Sequence, residues 1–124
     1  MKAVLDRGDL ALDLPAETQS ALVLWAALND AVLELWIFGS RAKGLARPDS
    51  DVDIGLALVP AKGKDDWALG AYFALESEWK RELEAIADRR VSLQAMVPDT
   101  KADTVVRETG IQLWKRLQPT GRAK

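Results

Sequence analysis

Residues 38–55, "FGSRAKGLARPDSDVDIG", decide how this chain is read. The apolar run 32–38, "VLELWIF", is short and rich in bulky and branched residues, which predicts a buried strand. Gly39-Ser40 ends it, and after ten further residues Asp51 opens "DVDIGLALV", 51–59, whose strict alternation predicts a second strand. Alternation places Asp51, Asp53, Gly55 and Ala57 on one face and Val52, Ile54, Leu56 and Leu58 on the other. The second set is a core face. The first is bare beyond its two acids and leaves room for something to sit there. Two carboxylates so close repel unless a cation lies between them. Hard oxygen donors of this kind suit Mg²⁺ or Mn²⁺ completed by water and substrate phosphate. Glycine at 39 lets backbone approach a ligand closely. With Ser40 near the start of a helical turn over "RAKG", free N–H groups would face an anion. Arg41, Lys43 and Arg47 would add positive charge. Taken singly, Gly39-Ser40 reads as a capped turn, the acid pair as a solvated strand edge and the three cations as ordinary surface charge; together they describe a phosphate chain held by Gly39, Ser40, Arg41 and Lys43 and bridged by a divalent cation to Asp51 and Asp53.

The flanking sequence predicts the elements around this centre. Residues 15–30 read as a helix, with Pro15 at its first position and Leu22, Trp25, Ala26 and Leu28 as its apolar stripe. Residues 65–87 carry the strongest helical periodicity, in Leu69, Tyr72, Leu75, Trp79, Leu83 and Ile86. Asp65 and Asp66 stand at the end that favours negative charge. "RVSLQAMV", 90–97, reads as a third strand closed by Pro98. Asp99 or Thr100 would cap a helix running to about Glu108, ended by Gly110. "IQLWKRL", 111–117, fits either a fourth strand or a last helical turn, and 118–124 read as a frayed tail. The expected architecture is α+β: one domain over 1–124 with a small mixed sheet of three or four strands flanked by helices.

Composition narrows the chemistry. A chain of 124 residues, 48% hydrophobic and 29% charged, is long enough for a core of its own and reads as one ordinary globular domain. The net charge of −2 argues against broad nucleic-acid binding. With no cysteine and no histidine, thiolate zinc sites, disulfides and imidazole bases are all excluded. No apolar run approaches the roughly 20 residues that span a bilayer, and the acidic start is no signal peptide, so the expected address is cytoplasmic. Five tryptophans are many for this length. Core packing is the ordinary account of each. Interface anchoring is the other, with Trp67 expected to be the most exposed.

Gly39-Ser40, ten residues, then Asp51-Val52-Asp53 match the G-S-x(10)-D-x-D signature of the nucleotidyltransferase (DNA polymerase β-like) superfamily. "GSRAKG…SDVDIG" resembles its minimal nucleotidyltransferase branch, and the close "ETGIQLWKR" is similar as well. The resemblance is strong over 37–58 and at the level of pattern over most of the rest. It implies Mg²⁺-dependent transfer of a nucleoside monophosphate, AMP from ATP, to an acceptor hydroxyl. Gly39 and Ser40 would hold the β- and γ-phosphates, and Asp51 and Asp53 would be the metal ligands and catalytic acids. It further implies a protein partner, a HEPN-type ribonuclease toxin to which the chain is antitoxin, with homo- or hetero-oligomers in prospect. One departure matters. The family's third carboxylate, expected on the third strand, falls at Ser92, and the nearest acid, Asp88, precedes that strand. Nucleotide·Mg²⁺ binding is therefore expected to survive while transfer is slow or lost. The alternative to an enzyme is a nucleotide-binding antitoxin that acts by covering its partner. Modification of a small molecule or an RNA end ranks lowest, because such relatives carry an additional domain.

Overall fold

The computed structural model describes residues 14–42, 44, 50–59 and 69–117. In chain order these form helix α1 (Ala16–Leu28), strand β1 (Val32–Phe38), a 3₁₀ turn (Gly39–Arg41), β2 (Val52–Leu58), α2 (Leu69–Ala87), β3 (Val91–Ala95), α3 (Lys101–Thr109) and β4 (Ile111–Lys115). The strands make one mixed sheet in the order β3-β2-β1-β4. The ambiguous segment 111–117 resolves as an edge strand, antiparallel to β1, while β2 runs antiparallel to β1 and parallel to β3. The architecture is the expected α+β class.

Helices α1 and α2 cover one face of the sheet. Leu22 and Ala26 of α1 and Tyr72, Trp79 and Leu83 of α2 pack on Leu35, Ile37, Val52, Ile54, Leu56 and Leu58 in one buried cluster. Each fully buried aliphatic side chain there contributes about 1.5–3 kcal/mol of transfer free energy. The stripe read for α1 is right except at Leu28, which is 75% exposed. Trp25 is half-buried, and its indole N–H donates to Glu82 Oε1 at 2.8 Å. Pro15 stands just before α1, as its N-cap. Asp65, Asp66, Trp67, Lys43, Arg47 and the tail 118–124 lie outside the described residues.

Helix α3 covers the opposite face. Thr100 caps it, its hydroxyl accepting from Asp103 N–H, and Gly110 ends it. Val106 packs with Met96 and Ala57, flanked by Leu33, Trp36 and Phe38. Beside this cluster lies a buried carboxylate, Glu34. Arg107 donates to both of its oxygens, at 2.9 and 3.3 Å, and Trp36 Nε1 and Gln112 Nε2 donate to Oε1. Burial alone would push the Glu34 carboxyl up. The hydrogen bonds from Arg107 and Trp36, the arginine's charge and the Gln112 amide outweigh it and hold the carboxyl below its ordinary range.

Candidate functional site

The site residues meet because of sheet register. Asp53 lies opposite Phe38, the last residue of β1, and on its other side opposite Ser92 of β3. Gly39 follows Phe38 directly, so the chain turns beside the Asp53 carboxylate. A Cβ built on Gly39 would stand 2.1 Å from Asp53 Oδ2, and Gly39 has φ +72°. Two independent facts thus call for glycine at this position: the left-handed backbone and the acid occupying the side-chain volume.

The turn itself is smaller than the helical start read over "RAKG". It is a 3₁₀ turn of three residues, with Ala42 N–H bonded to the Gly39 carbonyl at 3.2 Å, and its N-cap is Phe38, not Ser40. So short an element has almost no macrodipole, and any anion there would be met by individual backbone N–H groups and the Ser40 hydroxyl. Arg41 is also placed differently from an open phosphate-facing cation. It is buried, and its Nη2 donates to the carbonyl of Ser50 at 2.9 Å. Its guanidinium ties the turn to the residue immediately before Asp51.

Asp51 and Asp53 are both half-buried at the start of β2. Burial pushes the Asp53 carboxyl above its ordinary range, and the neighbouring Asp51 charge adds to the effect. The oxygen-only donor set of the two acids fits a hard divalent cation. Ser92 Oγ reaches Asp51 Oδ2 at 3.5 Å, the outer limit of a hydrogen bond. Among the described residues no three acidic, histidine or cysteine side chains come together at a metal-binding spacing. Asp88 ends α2 in the left-handed region, φ +58°, and is exposed there.

The face beyond the acids is not open, as the alternation alone suggested. A Cβ on Gly55 would meet Met96 Sδ at 2.9 Å and Val106 Cγ1 at 3.0 Å, so the β3–α3 connection and α3 close over that part of β2. Glycine inside a strand is itself the sign of such an approach. The accessible part of the acid face is therefore the strip from Gly39 across Asp53 and Asp51 to Ser92.

The family model described as "Nucleotidyltransferase domain" matches residues 24–108. A solved structure described as a toxin–antitoxin with AMP-PNP is similar at TM-score 0.55 and 21% identity, over 82% of this chain and 75% of that one. A mutant of the toxin–antitoxin MntA–HpeT is similar at TM-score 0.54 and 19% identity, with the same coverage. No curated protein matches. Among the described residues no helix is long and apolar enough to cross a membrane.

Proposed function

The chain belongs to the nucleotidyltransferase domain family, which its match over 24–108 establishes, and from that premise we propose that it transfers AMP from ATP to a protein partner, slowly for want of a third carboxylate. The observation that carries this reading is the packing of the Gly39 turn against the Asp53 carboxylate, which brings a phosphate-sized backbone turn and an acid pair together. Gly39 and Ser40 would take the β- and γ-phosphates, and Asp51 and Asp53 would hold Mg²⁺. Bound there, the cation would neutralise triphosphate charge and polarise the reacting oxygens. The acceptor hydroxyl would bond to the α-phosphorus and pyrophosphate would leave. Arg41 keeps the spacing of the two halves through Ser50, and Lys43 is assigned to the phosphates. Ser92 stands at the third-acid position. It can orient Asp51 but cannot accept the acceptor's proton as a carboxylate does, a role worth about 10²–10⁴ in rate.

Likeness to the toxin–antitoxin structures supports a toxin partner, and the family resemblance points to a HEPN-type toxin in the cytoplasm. Ser92 also supports a second reading, in which the chain binds nucleotide and restrains its partner by contact alone. One experiment separates the two. Purified chain, Mg²⁺ and an extract of the source cells are given α-labelled or γ-labelled ATP, with Asp53→Ala as control. Label on a protein band from the α position only, and lost in Asp53→Ala, establishes transfer. No label, in a sample that still binds Mg·ATP, leaves the binding module.

A further inference from the structure

The chain builds one small arrangement twice and completes it once. On the α3 face the Trp36 indole N–H donates to Glu34 Oε1 at 2.8 Å. Arg107 completes the set, its guanidinium 5.6 Å from the Trp36 ring and paired to Glu34 at 2.9 Å. On the opposite face the Trp25 indole N–H donates to Glu82 Oε1, again at 2.8 Å. Trp79 braces the Trp25 ring edge-to-face at 6.0 Å. Here, among the described residues, no arginine or lysine sits over the ring or pairs with the acid. The nearby Arg116 is engaged with the carbonyls of Ala26, Ala27 and Asn29 and lies over Trp114.

Around the Trp25–Glu82 pair is a cleft of about 360 Å³ lined by Trp25, Leu28, Asn29, Asp30, Trp79 and Glu82. Its charged groups are both acidic. Its lining includes the exposed side chain of Leu28, and Leu24, one turn earlier on the same helix, is exposed as well. Two indole rings, two carboxylates and an exposed leucine are complementary to a guanidinium on an aliphatic stem. We propose that this cleft receives an arginine side chain of a partner protein, which takes the place that Arg107 fills at Trp36. The cleft lies on the α1–α2 side of the sheet and before β1, whereas Asp53 lies on the other face level with the end of β1, with Asp51 just past it. The arginine side chain held here would not occupy the nucleotide strip, and the inference stands whether or not that strip transfers AMP.

The test uses the full chain and the indole N–H resonances of its five tryptophans, Trp25 being assigned with Trp25→Phe. N-acetyl-arginine amide is titrated against its uncharged citrulline counterpart and against the capped tripeptide Leu-Arg-Leu. A saturable shift of the Trp25 resonance is expected in the millimolar range, the order for a ligand of this size. The citrulline compound should bind about tenfold more weakly, the tripeptide more tightly, and Asp30→Asn/Glu82→Gln should lose about tenfold with its melting temperature unchanged. Glutamine at 82 keeps an acceptor for the Trp25 N–H, so that loss reports charge. No saturable shift, equal binding of citrulline, or a double variant that binds like the parent would overturn the site. A tripeptide no tighter than the free arginine derivative would overturn its assignment to a protein partner.

Discussion

Replacing Gly39 by alanine tests the geometry that joins the two halves of the site. Two costs arise, and they can be separated. At φ +72° an L-residue loses about 1–2 kcal/mol relative to glycine from its backbone conformation alone. The new methyl would also lie 2.1 Å from Asp53 Oδ2 and 3.1 Å from its Cγ, so either the turn lifts off β2 or the carboxylate rotates away. Gly44 is the control. It has φ +73° and is exposed, so Gly44→Ala carries the backbone cost at a position away from the sheet. Gly39→Ala is expected to lose about 2–4 kcal/mol in urea unfolding, roughly 8–16 °C in melting temperature, and Gly44→Ala about half of that. Calorimetric titration with Mg·ATP should show Gly39→Ala weakened by at least about tenfold, equivalent to ~1.4 kcal/mol, and Gly44→Ala unaffected. If the two variants lose equal stability, the contact with Asp53 contributes nothing. If Gly39→Ala binds Mg·ATP like the parent, the turn and the acid do not form one site.

The remaining predictions concern the acids. Ser92→Asp should raise AMP transfer about 10²–10⁴-fold and lower the metal-free melting temperature by crowding a third carboxylate beside Asp51 and Asp53; a flat rate would mean that position 92 is not where the third acid acts. The Asp53 carboxyl is raised when folded, so its contribution to stability is present below the ordinary value of 3.8 and is lost as pH rises through the folded value. Asp53→Asn should therefore melt higher than the parent at neutral pH without metal, yet gain nothing from Mg²⁺, which thermal scans with and without the ion will read. Glu34 has the opposite sign: its contribution is present above the ordinary 4.5 and is lost as pH falls through its depressed folded value. Arg107→Met should cost roughly 1–3 kcal/mol in urea, an amount discounted for the arginine's partial exposure, and should shrink that acid-side loss.

Much of the fold was legible because its signals were local. Period-two alternation in 51–59 and the spacing of Tyr72, Leu75, Trp79, Leu83 and Ile86 each report a face turned toward the core. Thr100 and Gly110 bracket α3 by cap chemistry. Segment 111–117 was not decidable, because its strand character comes from pairing with β1, a contact with no local trace. The Gly-Ser turn and the acid pair were likewise legible as a motif, and the parallel register of β2 with β3 sets Ser92 beside Asp53, where the missing carboxylate was looked for. Two features were not read. Arg41 was read as a cation facing the phosphates, and nothing in "GSRAKG" announces that its guanidinium is buried against Ser50. The closure of the acid face by Met96 and Val106 had one signal, Gly55 inside a strand, and the alternation pattern masked it.

The register also says what the serine does to the site. Asp53 is flanked by β1 and β3, and its carboxyl is raised first by burial and then by the Asp51 charge beside it. A third carboxylate at position 92 would add to the same repulsion in the metal-free fold, whereas a hydroxyl there leans on Asp51 and adds no charge. On the proposed reading, holding Mg·ATP depends on Gly39, Asp51 and Asp53, and proton removal from the acceptor depends on what stands at 92. The two capacities are then separable by single substitutions. Asp53→Ala should abolish both, and Ser92→Asp should change the rate far more than the affinity. A chain tuned for occupancy over turnover would keep the first set and relax the second, and Ser92 is the residue at which that relaxation would be made.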